Sequence, residues 1–325
     1  MNPAPTPRRG FRRKVAISLL VSGGLLAFIL SRIDLSGLLA ALERAAPLGL
    51  GLALASLGLG ILAGSFRWRV GLSLAGVPMK LPVQLRASYA GHAFNLMLLG
   101  PAGGDVAKTA LYSRWYGLSL TDLIASAIID RSLSVVGSLL FIVVTIGLFL
   151  GSSLSFIPGS LEAEMPDAGW LLLVLLLLLG AAGGIYRLRH HPFLRQLGKS
   201  LRGTLRSARE RPSVLLRGGL LGLLGQVFMS AVMALALWSV TEADVAWRDI
   251  LWTFPLITSL AALPASVGGA GIREGAAILL LTRFGIPAED LVAAGLINLL
   301  VQLAWGLVGG AVILREWREQ GRAPV

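Results

Sequence analysis

The 325-residue chain is 55% apolar and only 14% charged, with mean hydropathy +0.76 and a formal charge of +12. Soluble domains run about 45–50% apolar and about 25% charged, so the composition argues against a water-soluble enzyme and leaves little chain for a separate soluble domain. Cysteine is absent and histidine occurs three times. That removes disulfide, zinc–thiolate and iron–sulfur chemistry, and no metal or cofactor is expected.

Apolar runs of about 20 residues are what cross a bilayer. Behind the basic cluster Arg8, Arg9, Arg12, Arg13 and Lys14, the run Val15–Leu30 reads as a retained first span rather than a cleaved signal. Further spans follow at Pro47–Phe66, Ser132–Gly151, Trp170–Tyr186, Val214–Val240 and Leu291–Leu314. Two more apolar stretches, about Gln84–Tyr116 and Ile250–Phe284, are broken by Pro and Gly. The expected fold is therefore an all-α polytopic membrane protein with six full spans and two re-entrant hairpins. Eight full spans is the alternative count.

Positive charge sets orientation. With a cytoplasmic N-terminus, all but five of the 29 Lys and Arg residues fall on the cytoplasmic side, the exceptions being Arg32, Arg44, Arg248, Arg273 and Arg283. The segment 187–211 carries eight bases and one acid, whereas Ser152–Gly169 carries three acids and no base. Basic residues set between apolar runs point to the membrane surface as partner and away from nucleic acid. Both termini are placed in the cytoplasm. Within 187–211, Arg195, Lys199, Arg202, Arg206 and Arg209 recur at helical steps beside Leu194, Leu197, Leu201 and Leu205. That pattern describes an amphipathic connector lying on anionic lipid.

An internal match divides the chain. Tyr116–Arg131 and the stretch beginning 168 residues later at Phe284 share Gly117/Gly285, Asp122/Asp290, Leu123/Leu291, Ala125/Ala293 and Ile129/Ile297. Each stretch follows a broken hairpin and leads into a span. Residues 1–325 thus read as one membrane domain with halves of about 15–151 and 170–315, inserted in opposite senses. Inverted repeats of this kind are built around substrate sites at discontinuous helices near the midplane.

The breaks at Leu99–Asp105 and Pro264–Gly275 hold the candidate site residues. Gly103 and Gly104 in the first, and Gly268, Gly269 and Gly271 in the second, could let an anion approach backbone amides at a helix start; helix packing is the competing use of each glycine. Ionised residues at membrane depth need a cavity or a partner. Arg273 is the first choice for a phosphate ligand, by its planar fork, against a structural pair with Asp105 or Asp130. Asp105, Glu274, Asp130 and Arg131 are assigned to gating or ion pairs, with an N-cap role for Asp105 as the competing reading. His92 and Asn95, three residues apart, are expected to line a polar groove.

These residues carry a resemblance. Phe66–Arg69, Tyr89–Gly91 with Phe94–Asn95, Pro101 with Gly103–Asp105, Asp130–Arg131 and Gly268–Gly275 resemble, in order and spacing, the lysylphosphatidylglycerol synthase transmembrane region, a family of flippase-like membrane proteins. The resemblance spans about Val15 to Arg315 and includes the membrane half of the multiple peptide resistance factor, without that protein's aminoacyltransferase domain. It implies a bacterial inner-membrane protein that binds or translocates an anionic, aminoacylated or polyprenyl-phosphate-linked lipid, with Lys108 as the basic residue after the first Gly-Asp. No catalytic constellation is found, so covalent chemistry is not expected. Two other readings stand beside translocation: a membrane partner that recruits a separately encoded lipid-modifying enzyme, and an ion-coupled exporter of small solutes.

Overall fold

The computed structural model describes residues 35–97, 100–153, 192–261 and 271–320. All regular elements among them are helical: α1 Leu35–Glu43, α2 Pro47–Leu74, α3 Leu81–Met97, α4 Gly100–Tyr116, α5 Leu120–Ser153, α6 Pro192–Glu210, α7 Pro212–Val240, α8 Trp247–Ile250, α9 Thr253–Ala261, α10 Ile272–Leu281 and α11 Ala288–Gln320. Four are long and apolar enough to cross a bilayer: Pro47–Leu74, Leu120–Thr145, Pro212–Val240 and Ala288–Glu319. They match four of the six expected spans; the other two, Val15–Leu30 and Trp170–Tyr186, lie outside the described residues.

Local chemistry explains the boundaries. Pro47 and Pro212 open α2 and α7, where the missing proline N–H has no helical partner to lose. The long helices keep large apolar side chains on their outer surfaces, among them Leu59, Val135, Val143, Leu220 and Leu307. Only a surrounding apolar phase makes that arrangement favourable. Inside, small residues bring backbones together. A Cβ on Gly71 would lie 2.4 Å from the Ser126 carbonyl oxygen, one on Gly137 would meet Gly222, and one on Gly58 would enter the Trp305 ring. Close approach of this kind replaces the hydrophobic drive that is missing between helices in lipid.

Packing fixes direction. α2 and α7 run antiparallel, with Gly49 against Ser239, Ser56 donating to the Phe228 carbonyl, and Val70 against Gly218. α5 runs with α7, Leu133 meeting Gly218 and Ser138 reaching Gln226. α11 runs with α2, from Arg44–Asp290 to Trp305 donating to the Leu54 carbonyl. Gly117 (φ +62°) and Gly285 (φ +75°) each turn the chain in a region that favours glycine. Each stands three residues before a long helix, α5 or α11. The order long helix, shorter helices, long helix therefore occurs twice, as α2 to α5 and α7 to α11, and the corresponding long helices run in opposite directions.

The first broken stretch is an antiparallel hairpin of α3 and α4. Ala87 and Tyr112 share one apolar cluster, Gly91 faces Lys108, and Asn95 faces Gly104. The second helix begins earlier than the break at Leu99–Asp105 suggested. The helix resumes at Gly100, with Pro101 in the first turn, where it is tolerated. Gly103, Gly104 and Asp105 consequently lie inside α4, and the N-cap reading of Asp105 is corrected. The hairpin's inner contacts with α11, at Gln302 and Gly306, fall near the middle of that helix.

Candidate functional site

A cavity of about 250 Å³ opens among α2, α3, α4, α5, α7 and α9. Gly60 and Gly64, close to the midpoint of α2, form part of its wall. Without side chains there, room remains between the helices. Six of the sequence-predicted residues converge on it: His92, Asn95, Asp105, Lys108, Asp130 and Arg131.

Its charges are arranged in two groups. Arg67 Nε donates to Asp130 Oδ1 at 2.7 Å and Nη2 donates to Oδ2 at 3.3 Å, a forked pair that fixes both planes. Asp105 is shared: Lys108 Nζ lies 2.9 Å from Oδ1, and Arg131 holds Oδ2. The Lys108 stem fills the space left by Gly91, and its ammonium sits 4.2 Å from the centre of the Trp68 ring, an additional cation–π attraction. Three cations thus face two carboxylates, a net charge of +1 in a wall that includes apolar side chains. Arg131 stands out by exposure: its side chain is 42% accessible, against 8% for Lys108.

The neutral lining is also polar. Gln226 donates to Thr258 Oγ1 at 2.7 Å and accepts from Ser138 Oγ at 3.0 Å. His92 Nε2 lies 3.2 Å from the Gln302 carbonyl oxygen. Asn95 Oδ1 is buried without a hydrogen-bond partner beside Gly104, leaving one acceptor for an incoming donor. Gly104 itself is a packing residue: a Cβ there would lie 1.9 Å from Asn95 Oδ1 and 2.7 Å from the Gly91 carbonyl oxygen. By position, the amide of Gly104 belongs to the α4 ladder.

Arg273 and Glu274 lie elsewhere. Arg273 donates through Nε and Nη2 to Glu274 Oε1 (3.1 and 2.8 Å), through Nη2 to the Gly295 carbonyl and through Nη1 to Asn298 Oδ1 (both 3.1 Å). Glu274 Oε2 accepts the Gly271 amide at 2.6 Å, and Gly271, at φ +84°, is the N-cap of α10. Both ionised residues are about 2% exposed. Among the described residues Arg273 is enclosed, with four of its five N–H groups engaged, an arrangement that does not favour the expectation of a phosphate ligand. Nor does it pair with Asp105 or Asp130: its long side chain folds back onto the adjacent acid. Gly268 and Gly269 lie outside the described residues.

The amphipathic connector forms α6, with Arg195, Lys199, Arg202, Arg206 and Arg209 all exposed. Sequence reasoning missed Arg67, Gln226 and Thr258 as cavity residues. For Arg67 a signal was available, because an arginine inside an apolar helix requires a partner. At the end of the bundle where basic residues gather, Glu316 is fully buried and accepts from Arg86 and from Tyr116 Oη (2.6 Å).

Fold and site together define a multi-pass membrane protein with a charged cavity between its helices. The chain belongs to the family described as the lysylphosphatidylglycerol synthase TM region, which matches it over residues 15–310. That membership ties it to lipid handling. No curated protein matches the chain.

Proposed function

We propose that this protein is a lipid translocase: it takes the head group of an anionic or phosphate-bearing lipid into the charged cavity and passes it between leaflets without covalent chemistry. The observation that carries the reading is the three-to-two ratio of cations to carboxylates in a hollow among the spans. Holding five ionised groups there is costly unless something wet or charged uses them. A phosphate would take Lys108 and the exposed Arg131, replacing Asp105 as their shared acceptor. Arg67 and Asp130 also line the cavity. The acyl chains would remain in lipid, past the apolar outer surfaces of the helices.

The oppositely directed halves support an inverted repeat of six spans and two re-entrant hairpins. The basic end, with Lys80, Arg114, α6 and Arg315, supports a cytoplasmic face there and residence in a bacterial inner membrane. The test is reconstitution of the full chain with labelled phosphatidylglycerol, aminoacylated phosphatidylglycerol and a polyprenyl phosphate. Transfer of at least one above protein-free vesicles, lost in K108Q/R131Q, is the expected result. No transfer of any of them in either direction overturns the proposal.

A further inference from the structure

The helix α6 is used by neither the cavity nor the hairpins, yet its placement is well defined. Only Arg211 separates it from Pro212, which opens the span α7. Its inner side buries Thr204 and Ala208. Ala208 packs among Val70 and Leu74 at the close of α2, Ile129 and Leu133 of α5, and Val214 and Leu215 of α7. The helix is therefore clamped against three spans, toward the end of the bundle where basic residues gather. Leu194, Leu197 and Leu201 are half-buried, whereas Leu205 is 51% exposed. Five exposed bases accompany them, and Glu210 is the one acid in the helix.

A packed, predominantly basic helix beside a bilayer has one partner that complements it. We infer that α6 is a docking surface for the anionic lipid head groups of the leaflet at the basic end. Leu205 and its neighbours enter the head-group boundary, and Arg195, Lys199, Arg202, Arg206 and Arg209 gather acidic lipids around it. Arg206 also reaches Glu210 at 3.1 Å, but both side chains are more than half exposed, so that pair competes weakly with lipid phosphate. The inference is independent of the cavity reading.

Because the chain has no cysteine, Leu205→Cys gives a single labelling site in the full-length protein. A fluorophore there would be followed in nanodiscs in which brominated acyl chains are carried either by phosphatidylglycerol or by phosphatidylcholine at equal mole fraction. The expected result is quenching about threefold or more stronger from the anionic lipid. The preference should disappear in R195Q/K199Q/R202Q/R206Q/R209Q and, with α6 unaltered, at about 1 M salt, where screening falls to about 3 Å. The salt arm answers the question even if the fivefold variant does not fold. K108Q/R131Q, which tests the cavity, should keep the full preference. Equal quenching by the two lipids, persistence of the preference at high salt, or its loss in K108Q/R131Q would each overturn the inference.

Discussion

The two halves of this molecule place polar residues at matching positions and treat them in opposite ways. Asp105 and Asp130 in the first half correspond, 168 residues on, to Arg273 and Asn298 in the second. The first pair faces a cavity and draws cations from Lys108 of the same helix and from Arg67 and Arg131 of others; the second closes on itself. The difference lies one residue along. Arg273 is followed by Glu274, which neutralises it on the spot, and Gly295 leaves room for that carboxylate, since a Cβ there would lie 2.5 Å from Glu274 Oε1. Asp105 is followed by Val106, which is 63% exposed and offers nothing. Asp105 must look to Lys108 and across to Arg131, and a hollow remains between the helices. A charge completed by its neighbour becomes scaffold, whereas a charge completed at a distance leaves a site.

The largest expected effect comes from breaking the sealed cluster. Glu274→Ala strands Arg273 as a buried charge and uncaps Gly271, and the loss should be about 3–5 kcal/mol, read as thermal unfolding in detergent with added lipid. Asp130→Asn removes a charge of equal size from Arg67, but that side chain is 12% exposed and borders the cavity, so water can reach it. Its cost should be about half or less. Equal losses would show that the two halves are equally dry, and the comparison would fail.

Lipid retention sharpens the contrast. Losing charge-assisted hydrogen bonds worth about 1.5–3 kcal/mol weakens binding about 10- to 100-fold. K108Q/R131Q should lose anionic lipid by that factor in native mass spectrometry of gently extracted protein. R273M/E274L, in which apolar side chains replace the sealed pair, should keep its lipid within about twofold wherever it folds. The reverse outcome would move the head-group site to the second half.

The glycines separate by the same logic, at smaller magnitude. Gly104→Ala drives a methyl into Asn95 and the Gly91 carbonyl, and overpacking of this kind costs about 1–3 kcal/mol. Gly275→Ala, inside α10 with nothing within 4 Å of the new carbon, should be neutral or stabilising by up to about 1 kcal/mol. Melting curves of the two variants, run side by side, check the sign of each.

Much of this contrast was legible from residue order alone. Gly117 and Gly285 mark the turns before α5 and α11, and the spacing of His92 and Asn95 put both on one wall of α3. Helix periodicity and proline rules suffice for that. Partner choice was not legible. Arg67 and Asp130 are 63 residues apart, and Gln226 meets Thr258 only because α7 and α9 cross. Those contacts depend on the rotational setting of each helix, which small residues such as Gly137 and Gly222 determine through close packing. Arg273 shows the opposite error. Adjacent helix positions diverge by about 100°, yet a long, flexible side chain can still return to its neighbour.

The smallest effect is expected at matched acids near the starts of α5 and α11. Asp122 and Asp290 both stand in a first turn, where a carboxylate complements the positive helix end. Asp290 additionally meets Arg44 at 3.3 Å, and Arg44 reaches Glu242 at 3.4 Å. Arg44 is 39% exposed and Glu242 77%, so water and salt compete for both. Arg44→Ala leaves Asp290 its place at the helix start and should cost no more than about 1 kcal/mol. That difference should shrink further as ionic strength rises and the Debye length contracts. A loss near that of Glu274→Ala, persisting at high salt, would mean that Arg44 locks the non-basic end of the bundle as firmly as Glu274 locks α10.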